Sequence, residues 1–414
     1  MFRFAPSSTE NMSIGELRLA LFNYVSAKQC NEDLIVRVKG EEKEILELLS
    51  LFGIEYTQVI PHSQQLRFHS AMALQLLHEK KAFSCFCSDA WIDTKKQEAK
   101  EANKEYLYDD ACRNLPAELV IDNENPFCVR VVRPQKDLII KDRLQGDISF
   151  KADTIDSFMI MYQDKTPTAD FSIAVDDMLN DISLIVCDEQ EKYNNAKQVH
   201  VRNALEYAKE IEYLHLPSFE NADISVKKIL EEGILPEAIL NYLVSSLDKE
   251  FSEVFTLQEI LENFHFEKIS SSPFLFDIEE LKKTNQNYMK KMDLKELSRY
   301  VGFADEEIGG LAKLYLNDVF TTKELKTKIA PIFQQTRDIP SSMEENMQQI
   351  RTLLQQATYF ENYEDFYQYL TTKTKMEKQT LENVLALLFT NSMDAPELKE
   401  IYKYLKNYLG EIVK

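Results

Sequence analysis

The stretch that decides the fold is Arg3-Phe4-Ala5-Pro6-Ser7-Ser8-Thr9-Glu10-Asn11-Met12-Ser13-Ile14-Gly15-Glu16-Leu17-Arg18, running on into Leu19-Ala20-Leu21-Phe22-Asn23-Tyr24. It reads as a short buried strand, a polar turn and an amphipathic helix. A strand that feeds a helix through a polar turn is how nucleotide-binding α/β domains begin, because the N–H groups at the start of the helix can hold phosphate. Many other α/β proteins open in the same way, so the pattern alone gives a fold class and leaves the ligand open.

Working outward, Leu34-Ile35-Val36-Arg37-Val38 is a β-branched run suited to a buried parallel strand. Helical periodicity follows at residues 44–52 and 70–81. Phe127 to Val132 reads as a strand, and Asp137 to Phe150 as a hairpin that turns at Gly146-Asp147. The apolar runs Asp156 to Tyr162 and Phe171 to Val175 read as further strands that complete a parallel core. From Leu235 to the end the pattern is helical. Cys85, Cys87 and Cys112, two of them one residue apart and the third near a turn, are either three ligands of a zinc ion or ordinary buried thiols.

Composition narrows the function classes. The 414 residues are enough for two or three domains, and 44% apolar with 11% aromatic residues describes a folded globular chain. No run approaches the roughly eighteen apolar residues of a membrane span. The first residues lack the basic-then-apolar layout of a signal peptide, so no membrane association is expected. Six cysteines fit a reducing cytosol better than a disulfide framework, and the expected location is the cytoplasm. The formal charge of −21 gives no general attraction for nucleic acid. It excludes promiscuous RNA binding but not an RNA contact through a local basic face.

The opening residues also carry a resemblance. Arg3 to Ser7, Ile14-Gly15, Leu17-Arg18 and Ala20 to Tyr24 closely resemble the start of bacterial glutamyl-tRNA synthetases, a class I family. The likeness continues through Gly146, Ile148-Ser149-Phe150, Thr166-Pro167-Thr168, Val175-Asp176-Asp177, Asn194 to Gln198 and Ile269 to Pro273, and so covers about residues 1–300. It implies an α/β part followed by an all-α part. The α/β part is a class I synthetase-type Rossmann catalytic domain in two halves, residues 1–75 and 135–205, with an inserted acceptor-stem-like domain at 76–134. A stem-contact-like helical domain at 206–300 and a helical anticodon-binding-like domain at 301–414 follow.

The positions that carry chemistry in that family are replaced. Its HIGH signature reads Ser13-Ile14-Gly15-Glu16 here, without either histidine. Of the amino-acid contacts, Arg3, Ala5 and Ser7 remain. Lys39 stands where the family has a glutamate, a reversal of charge, unless Lys39 is simply an exposed residue. Ala169 and Ile173 replace a tyrosine and an asparagine, and Cys187 replaces the arginine that grips the substrate carboxylate. The glycine-rich K-L-S-K-R loop is shortened to Leu216 to Ile224, with no glycine, lysine or arginine, and Ser218 is its one remnant. The similar-looking Lys295 to Arg299 lies in a helical pattern and reads as an exposed helix face. Each well-placed donor at a reacting phosphoryl group is worth roughly 3–4 kcal/mol, so an ATP-dependent adenylation site cannot be assembled, and ATP binding is not expected.

The resemblance also gives the cysteines a frame. Their C-x-C…Y-x-x-x-C spacing is similar to a structural zinc site of some family members. Where those have a histidine beyond the last cysteine this chain has Asn114, which makes Tyr108 the implied fourth ligand beside Cys85, Cys87 and Cys112. The reading that follows is a noncatalytic relative with a binding or regulatory role. Its candidate partners are tRNA, a genuine glutamyl-tRNA synthetase or a tRNA-dependent amidotransferase. The alternatives are a divergent but active glutamate–tRNA ligase, and a protein-binding scaffold with no RNA contact.

Overall fold

The computed structural model describes the chain except residues 7–10, 41–42, 249–250, 252–254, 335–336, 338 and 414. The chain forms two compact units. The first is residues 1–226 with 246–248 and 257–276, and the second is 227–245, 249–256 and 277–414.

The first unit is built on a seven-stranded sheet. In chain order its elements are β1 (Phe2–Phe4), α1 (Ile14–Gln29), β2 (Leu34–Val38), α2 (Lys43–Leu51), β3 (Gln58–Pro61) and α3 (His62–His78). Then come β4 (Ala82–Cys85), α4 (Asp89–Glu101), α5 (Ala117–Ile121), β5 (Cys128–Val131), β6 (Leu138–Asp142), β7 (Gly146–Phe150) and β8 (Met159–Met161). The unit continues with α6 (Ala169–Leu179), β9 (Leu184–Asp188), α7 (Lys192–Ala204), β10 (Glu212–Leu216), β11 (Phe219–Glu220) and later β12 (Phe274–Leu275). The sheet order is β3-β2-β1-β9-β10-β6-β7, parallel from β3 to β6 and closed by antiparallel β7. Gly146 takes φ +73° at the start of β7, a conformation that favours glycine.

Parallel strands are covered on both faces, so they need apolar residues throughout. All five residues of β2 are buried. Helix α1 is buried along most of its length, with Phe22 packed on Phe264 at a ring separation of 5.0 Å. A helix apolar on every side belongs in a core.

Two expectations are corrected. Phe171 to Val175 is not a strand but the middle of α6, where Phe171, Ala174 and Val175 are buried. A short continuous apolar run fits either a buried strand or a buried helix, and here Thr168 at the N-cap and Asp170 in the first turn mark the helix. The second correction concerns β8. It joins a separate antiparallel sheet, β4-β5-β8, rather than the parallel core. The main sheet also runs past residue 205, because β10 pairs with β9 along its whole length.

The second unit is helical, as the periodicity requires. Its helices include Pro236–Ser245, Ile278–Lys291, Leu294–Tyr300, Glu344–Gln356, Tyr363–Thr374 and Lys378–Thr390. The Lys295 to Arg299 segment lies inside Leu294–Tyr300, with Ser298 buried and its hydroxyl accepting from the Asp305 backbone N–H. Among the described residues no helix is long and apolar enough to cross a membrane.

Candidate functional site

The first element of the site is the start of α1. Ser13 is its N-cap, and Ser13 and Glu16 form a reciprocal capping box. The Glu16 N–H donates to Ser13 Oγ at 3.2 Å, and the Ser13 N–H donates to the Glu16 carboxylate at 3.0 Å. The next two amides are also engaged. The Ile14 N–H donates to Ile224 O at 2.9 Å and the Gly15 N–H to Ala222 O at 3.1 Å. Four consecutive N–H groups at the helix start are therefore bonded within the chain itself. A helix N-terminus attracts an anion through unsatisfied N–H groups, and these are satisfied.

The carbonyls come from a strap, residues 216–226, that crosses the start of α1. Ser13 and Ser225 form an antiparallel bridge, and the Val226 N–H donates to Met12 O. A Cβ on Gly15 would lie 3.2 Å from Ala222 Cβ, so the strap leaves little room there. Arg18 sits beneath it, 1% exposed. Its Nη2 donates to Pro217 O at 2.5 Å, its guanidinium lies 4.9 Å from the centre of the Phe219 ring, and Asp188 is 3.5 Å away. Burial pulls the Arg18 pKa down to about 10 against the attraction of Asp188. Ser218 is held by its N–H and hydroxyl, both donating to Glu189 Oε1 at 3.0 and 2.9 Å.

The second element is a cavity of about 540 Å³ at the ends of β1, β2 and β9, lined by Arg3, Arg37, Lys39, Ile173, Cys187 and Asn195 among others. Ala5 and Ala169 also face it, while Ser7 lies outside the described residues. Its guanidiniums are paired. Arg3 donates through Nε and Nη2 to the two oxygens of Asp177 at 2.5 and 3.3 Å, and Arg37 Nε donates to Asp176 Oδ2 at 2.5 Å. Lys39 is exposed and borders the cavity.

Cys187 Sγ accepts from Asn195 Nδ2 at 3.1 Å. The same amide lies 2.9 Å from His215 Nε2, and His215 Nδ1 is 2.7 Å from Asp142. Burial pushes the Cys187 thiol up to about 12. It stays a neutral thiol and is no nucleophile at physiological pH.

Sequence reasoning missed the support of this cavity. Asp176 also takes a hydrogen bond from His69 at 2.7 Å, and Arg37 reaches His62 and Ser172 at 3.0 Å. Burial works against the Asp176 carboxylate, but His69 and Arg37 hold its pKa below the ordinary range. The available signal was a charged residue inside an apolar strand, Arg37 in β2, since a buried charge requires a partner.

The third element is the thiol cluster. The Sγ atoms of Cys85, Cys87 and Cys112 lie within 4.8 Å of one another. Tyr108 Oη is 3.4 and 3.5 Å from Cys85 and Cys87 Sγ, and Cys87 and Cys112 Sγ are 3.5 Å apart. Tetrahedral zinc with bonds of about 2.3 Å to sulfur and 2.0 Å to oxygen sets its ligands roughly 3.5–3.8 Å apart, so this donor set fits the ion in number, type and spacing. In the chain alone burial, then hydrogen bonds to Cys85 and Cys87, push the Tyr108 phenol up.

Comparison with known proteins places these features. Residues 1–283 match the family model for the catalytic domain of class I tRNA synthetases (E and Q). Glutamate–tRNA ligase 2 of Sulfurimonas denitrificans is 50% identical over the whole of both chains. Glutamate–tRNA ligase 1 of Campylobacter jejuni is 39% identical, again over the whole of both. The first alignment runs over 433 positions against 414 residues here, which leaves at least 19 positions without a residue of this chain. In structure, the glutamate tRNA ligase of Elizabethkingia meningosepticum in complex with its amino acid superposes with a TM-score of 0.79. That match covers 99% of this chain and 97% of the other at 19% identity, a likeness of fold.

Proposed function

Since the chain belongs to the family of class I tRNA synthetases for glutamate and glutamine, we propose that it has given up ATP-dependent glutamylation and acts as a binding or regulatory relative. Its partner is tRNA, a glutamyl-tRNA synthetase or a tRNA-dependent amidotransferase. The observation that carries this reading is the start of α1. Four N–H groups that would meet a phosphate are bonded to Ser13, Glu16, Ala222 and Ile224.

Two further features support it. The strap has no lysine or arginine of its own to neutralise a transferring phosphate. The cavity has lost one guanidinium to Cys187, and its remaining two are paired with Asp176 and Asp177. Membership of a tRNA synthetase family supports tRNA as a partner. Zinc, held by Cys85, Cys87, Cys112 and Tyr108, would brace the β4-β5-β8 region as a closed structural site without touching the cavity chemistry.

Equilibrium dialysis with labelled ATP tests the reading. The expected result is no saturable binding up to millimolar ATP, together with a salt-sensitive tRNA complex in gel shift. Saturable ATP binding would favour the second reading, an active divergent ligase. That reading draws on the ligase names of the relatives and on the persistence of the cavity.

A further inference from the structure

The β4-β5-β8 region contains a fourth sulfur that the zinc set leaves out. Cys128 lies directly opposite Cys85 in the antiparallel pair β4·β5. The Val132 N–H donates to Lys81 O at 2.8 Å, which sets the phase of the ladder. Counting from that bond, Phe83 with Arg130 and Cys85 with Cys128 are the pairs that exchange backbone hydrogen bonds. Such pairs have Cα atoms about 5.5 Å apart, inside the window of roughly 4.4–6.8 Å that a disulfide spans, and closing the bridge draws the two Cβ atoms in to the roughly 3.5–4.5 Å it requires.

Both side chains point to the same face. Phe83, Cys85, Tyr108 and Cys128 share one buried apolar cluster. Cys85 also touches Tyr108 Oη and receives Arg130 Nε at 3.3 Å. It therefore stands between two alternatives, the metal cage on one side and Cys128 on the other. All six cysteines are free thiols.

We propose that Cys85 and Cys128 form a reversible disulfide that withdraws Cys85 from the metal cage. With a peroxide as oxidant, two thiols and one peroxide give one disulfide and two waters. The S–H bonds and the O–O bond break, the S–S bond forms, and the two sulfurs are oxidised as the peroxide oxygens are reduced. Loss of Cys85 leaves Cys87, Cys112 and Tyr108, one donor short of a closed tetrahedral site, so the zinc ion is released. The disulfide step stands without the metal, and only the release step rests on the zinc reading.

The experiment treats the full chain, metal-free and zinc-loaded, with hydrogen peroxide, alkylates the remaining thiols, and cleaves after Phe86 so that Cys85 separates from Cys87. The expected result is a Cys85–Cys128 linked peptide in the metal-free chain, lost on adding dithiothreitol. In the zinc-loaded chain a colorimetric chelator should record one zinc released. Release should slow at least tenfold in both C128S and C128A, the second variant guarding against a folding defect in the first. A Cys128 still open to alkylation while other thiols couple would overturn the proposal. Equal release rates in wild type and variants would overturn the displacement step. A chain that forms the disulfide but takes up no zinc would support the cross-link and sink the metal reading alone.

Discussion

At the scale of single residues, two adjacent carboxylates hold the cavity floor in charge balance. Asp177 faces Arg3, and Arg202 Nη1 is 3.8 Å away; Asp176 faces Arg37 and His69. Removing one member of a buried pair leaves the other charge uncompensated, which destabilises by roughly 3–5 kcal/mol. Asp177→Ala should lower the unfolding free energy read from urea titration by that amount, and an unchanged value would show that Arg3 finds another partner.

The same residues set an acid limit. The Asp176 pKa lies below its ordinary 3.8, so its contribution is complete above that value and is lost as pH falls through the lower folded one. His62 is lowered from 6.5 by burial and by Arg37, which disfavours its protonation in the folded chain. Its contribution therefore fades as pH drops below 6.5. Both effects run the same way, so these two groups should lower the thermal midpoint in two steps on acidification, one beginning below pH 6.5 and one below 3.8. Asp176→Asn should flatten the most acidic part of that curve.

At the scale of elements, the strap over α1 is the feature that, on the proposed reading, separates this chain from a phosphate-binding site. Arg18 pins it from below through Pro217, Asp188 and Phe219. Arg18→Ala removes those contacts and opens a void, at a cost of about 2–4 kcal/mol by analogy with large-to-small core changes. It should also speed proteolytic cleavage within residues 216–226; cleavage at the wild-type rate would mean that the strap is held by its backbone bonds alone.

This element marks how far the sequence could be read. The missing histidines, and the strap without lysine or arginine, were visible as residue types. That Ala222 and Ile224 carbonyls occupy the helix start was not visible, because a backbone carbonyl has no sequence signature. The β1–α1 opening and the β6–β7 hairpin were legible from buried runs and a glycine turn. The α6 segment was not, since Phe171 to Val175 fits a strand or a helix until its cap at Thr168 is weighed. Cys128 read only as part of a strand, and its place opposite Cys85 depends on a register no single strand reveals.

At the scale of the molecule, an acidic chain of charge −21 keeps the synthetase fold while its chemical positions are filled by Ser13, Glu16, Lys39 and Cys187. On the proposed reading scaffold and chemistry have separated, as they can because a fold does not fix its function. The most direct test is glutamylation of bulk tRNA by the purified, demonstrably folded protein, with ATP and glutamate present and a bona fide glutamyl-tRNA synthetase as control. The account predicts no glutamyl-tRNA above background. Turnover above background would contradict it, and would mean that the strap opens to admit ATP and that other cations stand in for the lost loop.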